Sequence, residues 1–132
     1  MRLLLDTHIW IWSLTEPEKL IPPAAGALAD PDSELWLSPV SVWELLLLVD
    51  KRRIGVEGDD VNRWIDSAFQ KVVVNEAPLT HEIVRATRRL SFPHRDPADR
   101  FIAATAHVLG LTLVTADERL LGVKHLRTLS AR

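Results

Sequence analysis

Four acidic residues stand where a short apolar run meets a helical pattern: Asp6 in LLLDTH, Glu44 in SVWELLLLV, Asp99 in HRDPADRFIAATA and Asp117 in TADERLL. A fifth, Asp96, lies three residues ahead of Asp99. Cysteine is absent, and the five histidines never fall into H-E-x-x-H or a comparable ligand spacing, so a thiolate or imidazole zinc site is disfavoured. All-oxygen donors suit a hard cation, Mg²⁺ or Mn²⁺. Such ions organise in-line hydrolysis at phosphorus, which makes phosphodiester cleavage the leading chemistry.

Each acid also has a local explanation. Asp6 can cap a helix beginning near His8, and Ser41 with Glu44 reads S-x-x-E, the capping-box pattern. Asp96 followed by Pro97 places an N-cap and a first-turn proline, with Asp99 at the third helical position, and Asp117 can cap a short helix over Glu118 to Leu121. Capping and catalysis are told apart by whether the elements bring the acids together.

Short apolar or β-branched runs at Arg2 to Leu5, Leu35 to Leu37, Val72 to Val74 and Leu111 to Val114 read as buried strands. Between them, helices are expected over His8 to Leu14, Pro23 to Ala29, Pro39 to Val49, Asp59 to Phe69, His81 to Leu90, and Pro97 to Leu109, the last closed by Gly110. Turns are expected at Pro22-Pro23, Asp30-Pro31-Asp32, Gly55 to Gly58 and Phe92-Pro93. Alternating strands and helices predict an α/β fold with a central, mainly parallel sheet. In such a sheet the strand C-termini share one edge with the helix N-termini that follow them, so Asp6, Glu44, Asp99 and Asp117 are expected to converge. Four carboxylates in one pocket repel and are desolvated, and a bound cation would compensate them.

A chain of 132 residues, 47% hydrophobic and 26% charged, is expected to form one domain over its whole length. Its apolar start LLL and the run ELLLLV are too short for a signal peptide or membrane span, and a cytoplasmic location is expected. The net charge of −2 advertises no nucleic-acid partner globally, so any basic surface must be local. Arg85, Arg88 and Arg89 have the spacing of one helical face, and Arg95 and Arg100 are either phosphate contacts or partners of Asp96 and Asp99. There is no G-x-S-x-G elbow and no Gly-rich phosphate loop, which sets aside serine hydrolases and P-loop NTPases.

LLLDTH, the S-x-x-E helix, HRDPADRFIAATA and GLTLVTAD, in that order and across nearly the whole chain, resemble PIN-domain proteins, in particular the VapC-type toxins of bacterial toxin–antitoxin pairs. The resemblance implies a three-layer α/β/α domain and a Mg²⁺- or Mn²⁺-dependent endoribonuclease acting on RNA. It further implies a cognate antitoxin that holds the enzyme inactive, and commonly a homodimer. By motif, Asp6, Glu44 and Asp99 match the family's core acids and Asp117 its more variable fourth, as catalytic and metal-binding residues. Asp96 belongs to the HRDP variant of the motif, and the resemblance leaves open whether it contributes to the site or only caps.

Two other readings stay open at this level: a phosphohydrolase using Asp6 as nucleophile, although His8 stands where a second acid is wanted, and a PIN-like binding protein whose acids only cap helices. Thr7 and Thr115 can hydrogen-bond a carboxylate or serve as turn and strand hydroxyls. Of the five tryptophans, Trp36 and Trp43 are expected in the core. Trp10 and Trp12 flank Ile11 on different helix faces, so one is expected exposed, in contact with an antitoxin or a second copy.

Overall fold

A computed structural model describes residues 1–55, 60–91 and 96–132. The elements run β1 (Arg2–Leu5), α1 (Thr7–Thr15), a 3₁₀ turn (Pro17–Lys19), α2 (Pro22–Ala29), β2 (Glu34–Leu37), α3 (Pro39–Asp50) and α4 (Val61–Lys71). They continue with β3 (Asn75–Glu76), α5 (His81–Ala86), α6 (Pro97–Leu109), β4 (Thr112–Thr115), α7 (Glu118–Leu121) and β5 (Thr128–Ser130). The five strands pair in the order β3-β2-β1-β4-β5, all parallel.

Strand alternation divides the core between two faces. Leu3, Leu5 and Val114 join residues of α1 to α4, among them Ile9, Trp10, Leu45 and Ile65, in one buried cluster. Leu4 and Leu113 point the other way and pack with Ile83 of α5 and Ile102 and Ala103 of α6. The result is the three-layer α/β/α arrangement expected. Ile102 to Ala106 are buried without a break, so α6 is packed on every side along that stretch, and the small residues Ala103, Ala104 and Ala106 suit such close surroundings.

Chain order reverses at β1: the chain steps outward to β2 and β3, then returns to lay β4 on the opposite side of β1. In doubly wound sheets the crevice beyond the strand C-termini at this reversal is where ligands bind. Asp6 leaves β1 at that point, and its backbone N–H donates to the Val114 carbonyl of β4 at 3.0 Å.

Several elements differ from the sequence expectation. The strand expected at Val72 to Val74 forms instead at Asn75–Glu76. Helix α4 runs on to Lys71 with Val72 closing it, its N–H bonded to the Ala68 carbonyl, so Val73 and Val74 carry the chain away from the helix. The expected helix over His81 to Leu90 stops at Ala86. The Thr87 hydroxyl donates to the Val84 carbonyl at 2.7 Å, and the next amides make three-residue turns to Arg85 and Ala86. Arg88 and Arg89 therefore do not share a helical face with Arg85. Trp43 is 52% exposed, because the buried positions of α3 are Val40, Ser41 and Leu45 and Trp43 is turned away from them; Trp36 is partly buried against the core as expected. The turns expected at Phe92-Pro93 and over most of Gly55 to Gly58, together with His94 and Arg95, lie outside the described residues.

Gly110 closes α6 at φ +67°, a conformation that costs an L residue roughly 1–2 kcal/mol. Gly26, in the exposed middle of α2, has open space where a Cβ would stand. Gly110→Ala should therefore lose about 1 kcal/mol in chemical denaturation, whereas Gly26→Ala should gain about 0.5–1 kcal/mol. Equal effects of the two substitutions would contradict these assignments.

Candidate active site

Four chain segments deliver acids to the edge of the sheet at its reversal. Asp6 is the N-cap of α1, Glu44 lies in the second turn of α3, Asp96 and Asp99 open α6, and Asp117 is the N-cap of α7. All five line one cavity of about 280 Å³, together with His8, Trp12, Ala116, Arg119 and Arg132. The four acids expected to converge do so, and Asp96 joins them.

Capping is real at three of the five and does not exclude convergence. Asp6 Oδ1 accepts from the Thr7 amide at 2.9 Å, Asp96 Oδ1 from the Ala98 amide at 3.0 Å, and Asp117 Oδ1 from the Arg119 amide at 2.9 Å. The expected S-x-x-E box does not form. Ser38 caps α3 by accepting from the Val40 amide at 3.0 Å, which places Ser41 inside the first turn and Glu44 a turn further in, beyond reach of the helix end. Glu44 therefore has no capping role.

Side-chain hydroxyls bracket the acids instead. The Thr115 hydroxyl donates to Asp6 Oδ2 at 2.7 Å and accepts from the Asp117 amide at 3.1 Å, tying the ends of β1 and β4 together. The Thr7 hydroxyl donates to Glu44 Oε1, and the Ser41 hydroxyl, 2.9 Å away, can donate to Thr7 in turn. Asp117 also receives both arms of Arg119, Nε and Nη2 each at 3.1 Å.

Charge crowding shows in the proton affinities. Burial raises the pKa of Asp6, against the lowering effect of its bonds from Thr115 and Thr7. Burial likewise raises that of Glu44, opposed by Thr7 and reinforced by the charges of Asp6 and Asp96. Asp99, only 8% exposed, is pushed up to about 7 by desolvation and then by Asp6, Asp96, Glu44 and Asp117. Among the described residues, no group of three or more Asp, Glu, His or Cys side chains could hold a metal ion as they stand. The donor chemistry nevertheless fits a hard divalent ion: oxygen ligands, mutual repulsion, and a carboxyl that a cation would ionise at neutral pH.

Sequence reasoning left out of the site Ser41, Arg119, Arg132, His8 and Trp12. The adjacency Asp6-Thr7 and the spacing Thr115-x-Asp117 carried the hydroxyl signal; nothing in the pattern marks Arg132 as a site residue. Arg100 does not line the cavity, and its Nη2 donates to the Thr87 carbonyl at 3.4 Å.

The PIN domain family model matches residues 3–126. "Ribonuclease VapC22" of Mycobacterium tuberculosis is 36% identical over 126 residues, covering 94% of this chain and 93% of that protein. Among solved structures, VapBC2 from Rickettsia felis, bound to a promoter DNA fragment, superposes with a TM-score of 0.75 at 16% identity over 100% of both chains. FitAcB from Neisseria gonorrhoeae gives 0.63 at 23% identity over 96% of each. These similarities to solved structures speak for the fold.

Asp99 ordinarily titrates near 3.8 and here near 7, so between those values the metal-free native state holds a proton that the unfolded chain has lost. Stability in chelator should then fall as pH rises from about 4 to about 7, on the order of 3 kcal/mol from this group. Asp99→Asn should make the fall distinctly shallower in urea denaturation measured across that range. A profile untouched by the substitution would contradict the assignment.

Proposed function

Because the chain belongs to the PIN-domain family, we propose that it is a metal-dependent endoribonuclease and the toxin of a type II toxin–antitoxin pair. The observation that carries the proposal is the convergence of Asp6, Glu44, Asp99 and Asp117 in one cavity at the sheet reversal. Those four residues are the proposed ligands of Mg²⁺ or Mn²⁺. When bound, the ion supplies Lewis-acid charge at the phosphodiester and makes a water nucleophile available at neutral pH.

The chain's own residues prepare the site. Thr115 and the Thr7 amide fix both oxygens of Asp6, and the Thr7 hydroxyl orients Glu44, so two ligands are pre-positioned on rigid elements. Asp99 must give up its proton to act as a ligand, which couples activity to pH near its pKa of about 7. The acids outnumber the arginines lining the cavity and so repel an RNA phosphate, which makes the cation serve binding as well as chemistry. Arg132, which also lines the cavity, supplies positive charge on the protein's side, whereas Arg119 is engaged with Asp117.

Solved structures of similar fold include toxin–antitoxin complexes, and a cognate antitoxin is the proposed protein partner; a homodimer is the proposed assembly. A phosphohydrolase with Asp6 as nucleophile is less well supported, since both Asp6 oxygens accept hydrogen bonds and the residue is buried.

Incubated with a mixed RNA pool, the protein should cut in the presence of Mn²⁺ or Mg²⁺ and stop on chelation. Asp99→Asn and Glu44→Gln should each lose roughly 100-fold or more in cleavage rate while remaining folded. RNA left intact by the wild type with either ion would overturn the proposal in favour of a non-catalytic binding protein, and RNA cut equally by Asp99→Asn would overturn the assignment of the metal site.

A further inference from the structure

We propose that Trp12 and His8 form a base-stacking platform beside the acids, on which the RNA base adjoining the scissile phosphate rests; this builds on the ribonuclease reading above. The two residues stand one helical turn apart in α1, with ring centroids 6.2 Å apart at 66°. Their intervening neighbours Ile9, Trp10 and Ile11 are buried in the core, whereas His8 is exposed and Trp12 only partly buried. Both line the carboxylate cavity, and both also line a second cavity of about 520 Å³ bounded on its other sides by Ile11, Leu48, Arg53 and Ile54. That volume is within the range of small-molecule sites, roughly 300–1,000 Å³. Trp12 and His8 are thus the shared wall between the proposed cleavage point and a neighbouring space.

The chemistry around that wall favours a nucleotide. Lys19 lies over the Trp12 ring at 5.3 Å and Arg53 lines the second cavity, so an aromatic face is flanked by cations, the combination that single-stranded RNA uses for its bases and phosphates. Glu16 also lines that space and is ion-paired with Lys19. An exposed cation–π contact is weaker than a stacked base, so an arriving base can displace Lys19 from the ring, and a phosphate that then engages Lys19 competes with Glu16. Trp10, the other tryptophan considered for an exposed partner contact, is fully buried and can take no part.

The test compares wild type with Trp12→Phe and Trp12→Leu, each checked by thermal melting. Cleavage of a randomised RNA pool defines a cut site, and oligoribonucleotides with single abasic positions around it are then assayed. Stacking contributes roughly five- to 150-fold per base, so Trp12→Leu should raise KM by at least about fivefold, while Trp12→Phe stays near wild type. Wild type should be sensitive to loss of one base beside the cut, and Trp12→Leu should lose that sensitivity. An unchanged KM and abasic pattern in Trp12→Leu would overturn the platform. So would a loss confined to antitoxin binding, which would assign the pair to a protein contact. If wild type cuts no RNA, the ribonuclease reading fails separately, and fluorescence anisotropy of a labelled 12-nucleotide RNA decides the platform: equal affinity of wild type and Trp12→Leu rejects it.

Discussion

Mutual repulsion of carboxylates gathered at one edge of a parallel sheet is the constraint on which the rest of this structure depends. At about 4 Å, two like charges cost about 4 kcal/mol in surroundings of intermediate polarity, a large share of the stability of a small domain. Helix N-termini offset part of that cost, since Asp6, Asp96 and Asp117 each accept a backbone N–H at the start of α1, α6 or α7. The remainder appears as raised proton affinity, most plainly at Asp99. A site that holds a proton near neutrality in the absence of a cation is one that a cation can occupy by displacing it.

The acids divide into two physical kinds. Asp6 and Glu44 are held by Thr115 and Thr7 through neutral hydroxyl donors, which orient a carboxylate without cancelling its charge. Asp117 is held by an arginine, which orients it and cancels much of its field. The core on both sides of the sheet makes this precision affordable: Leu3, Leu4 and Leu5 are fully buried and fix the end of β1 against β4, so the Asp6 carboxyl leaves a rigid strand. Function sits on the ends of the best-packed elements.

Much of this arrangement was legible in the residues. Strong apolar runs with clear caps, such as LLLD and the alanine-rich helix ending at Gly110, gave β1 and α6 nearly to the residue, because burial, capping and propensity agree there. The convergence of the four acids followed from the topology of parallel sheets alone. Where signals conflict, the reading slipped. The β-branched Val72 to Val74 reads as a strand, but the amphipathic pattern of α4 outruns it, and the edge strand β3 is only two residues long. The short strand β5, with its half-buried residues, left no pattern to find. Ser41 and Glu44 matched a capping motif that Ser38, three residues earlier, fulfils. Side chains brought in from distant segments, such as Arg132, are invisible to local reasoning because only the closed fold places them.

The central claim is that the acids form a cation site whose occupancy displaces a proton from Asp99. Calorimetric titration of Mn²⁺ in two buffers of different ionisation enthalpy counts that proton directly. Wild type should bind the ion and release about one proton at about pH 6, and far less at about pH 8.5 where Asp99 is already ionised. Asp99→Asn should bind more weakly and release correspondingly fewer protons. No binding by the wild type, or proton release unchanged in Asp99→Asn, would contradict the account.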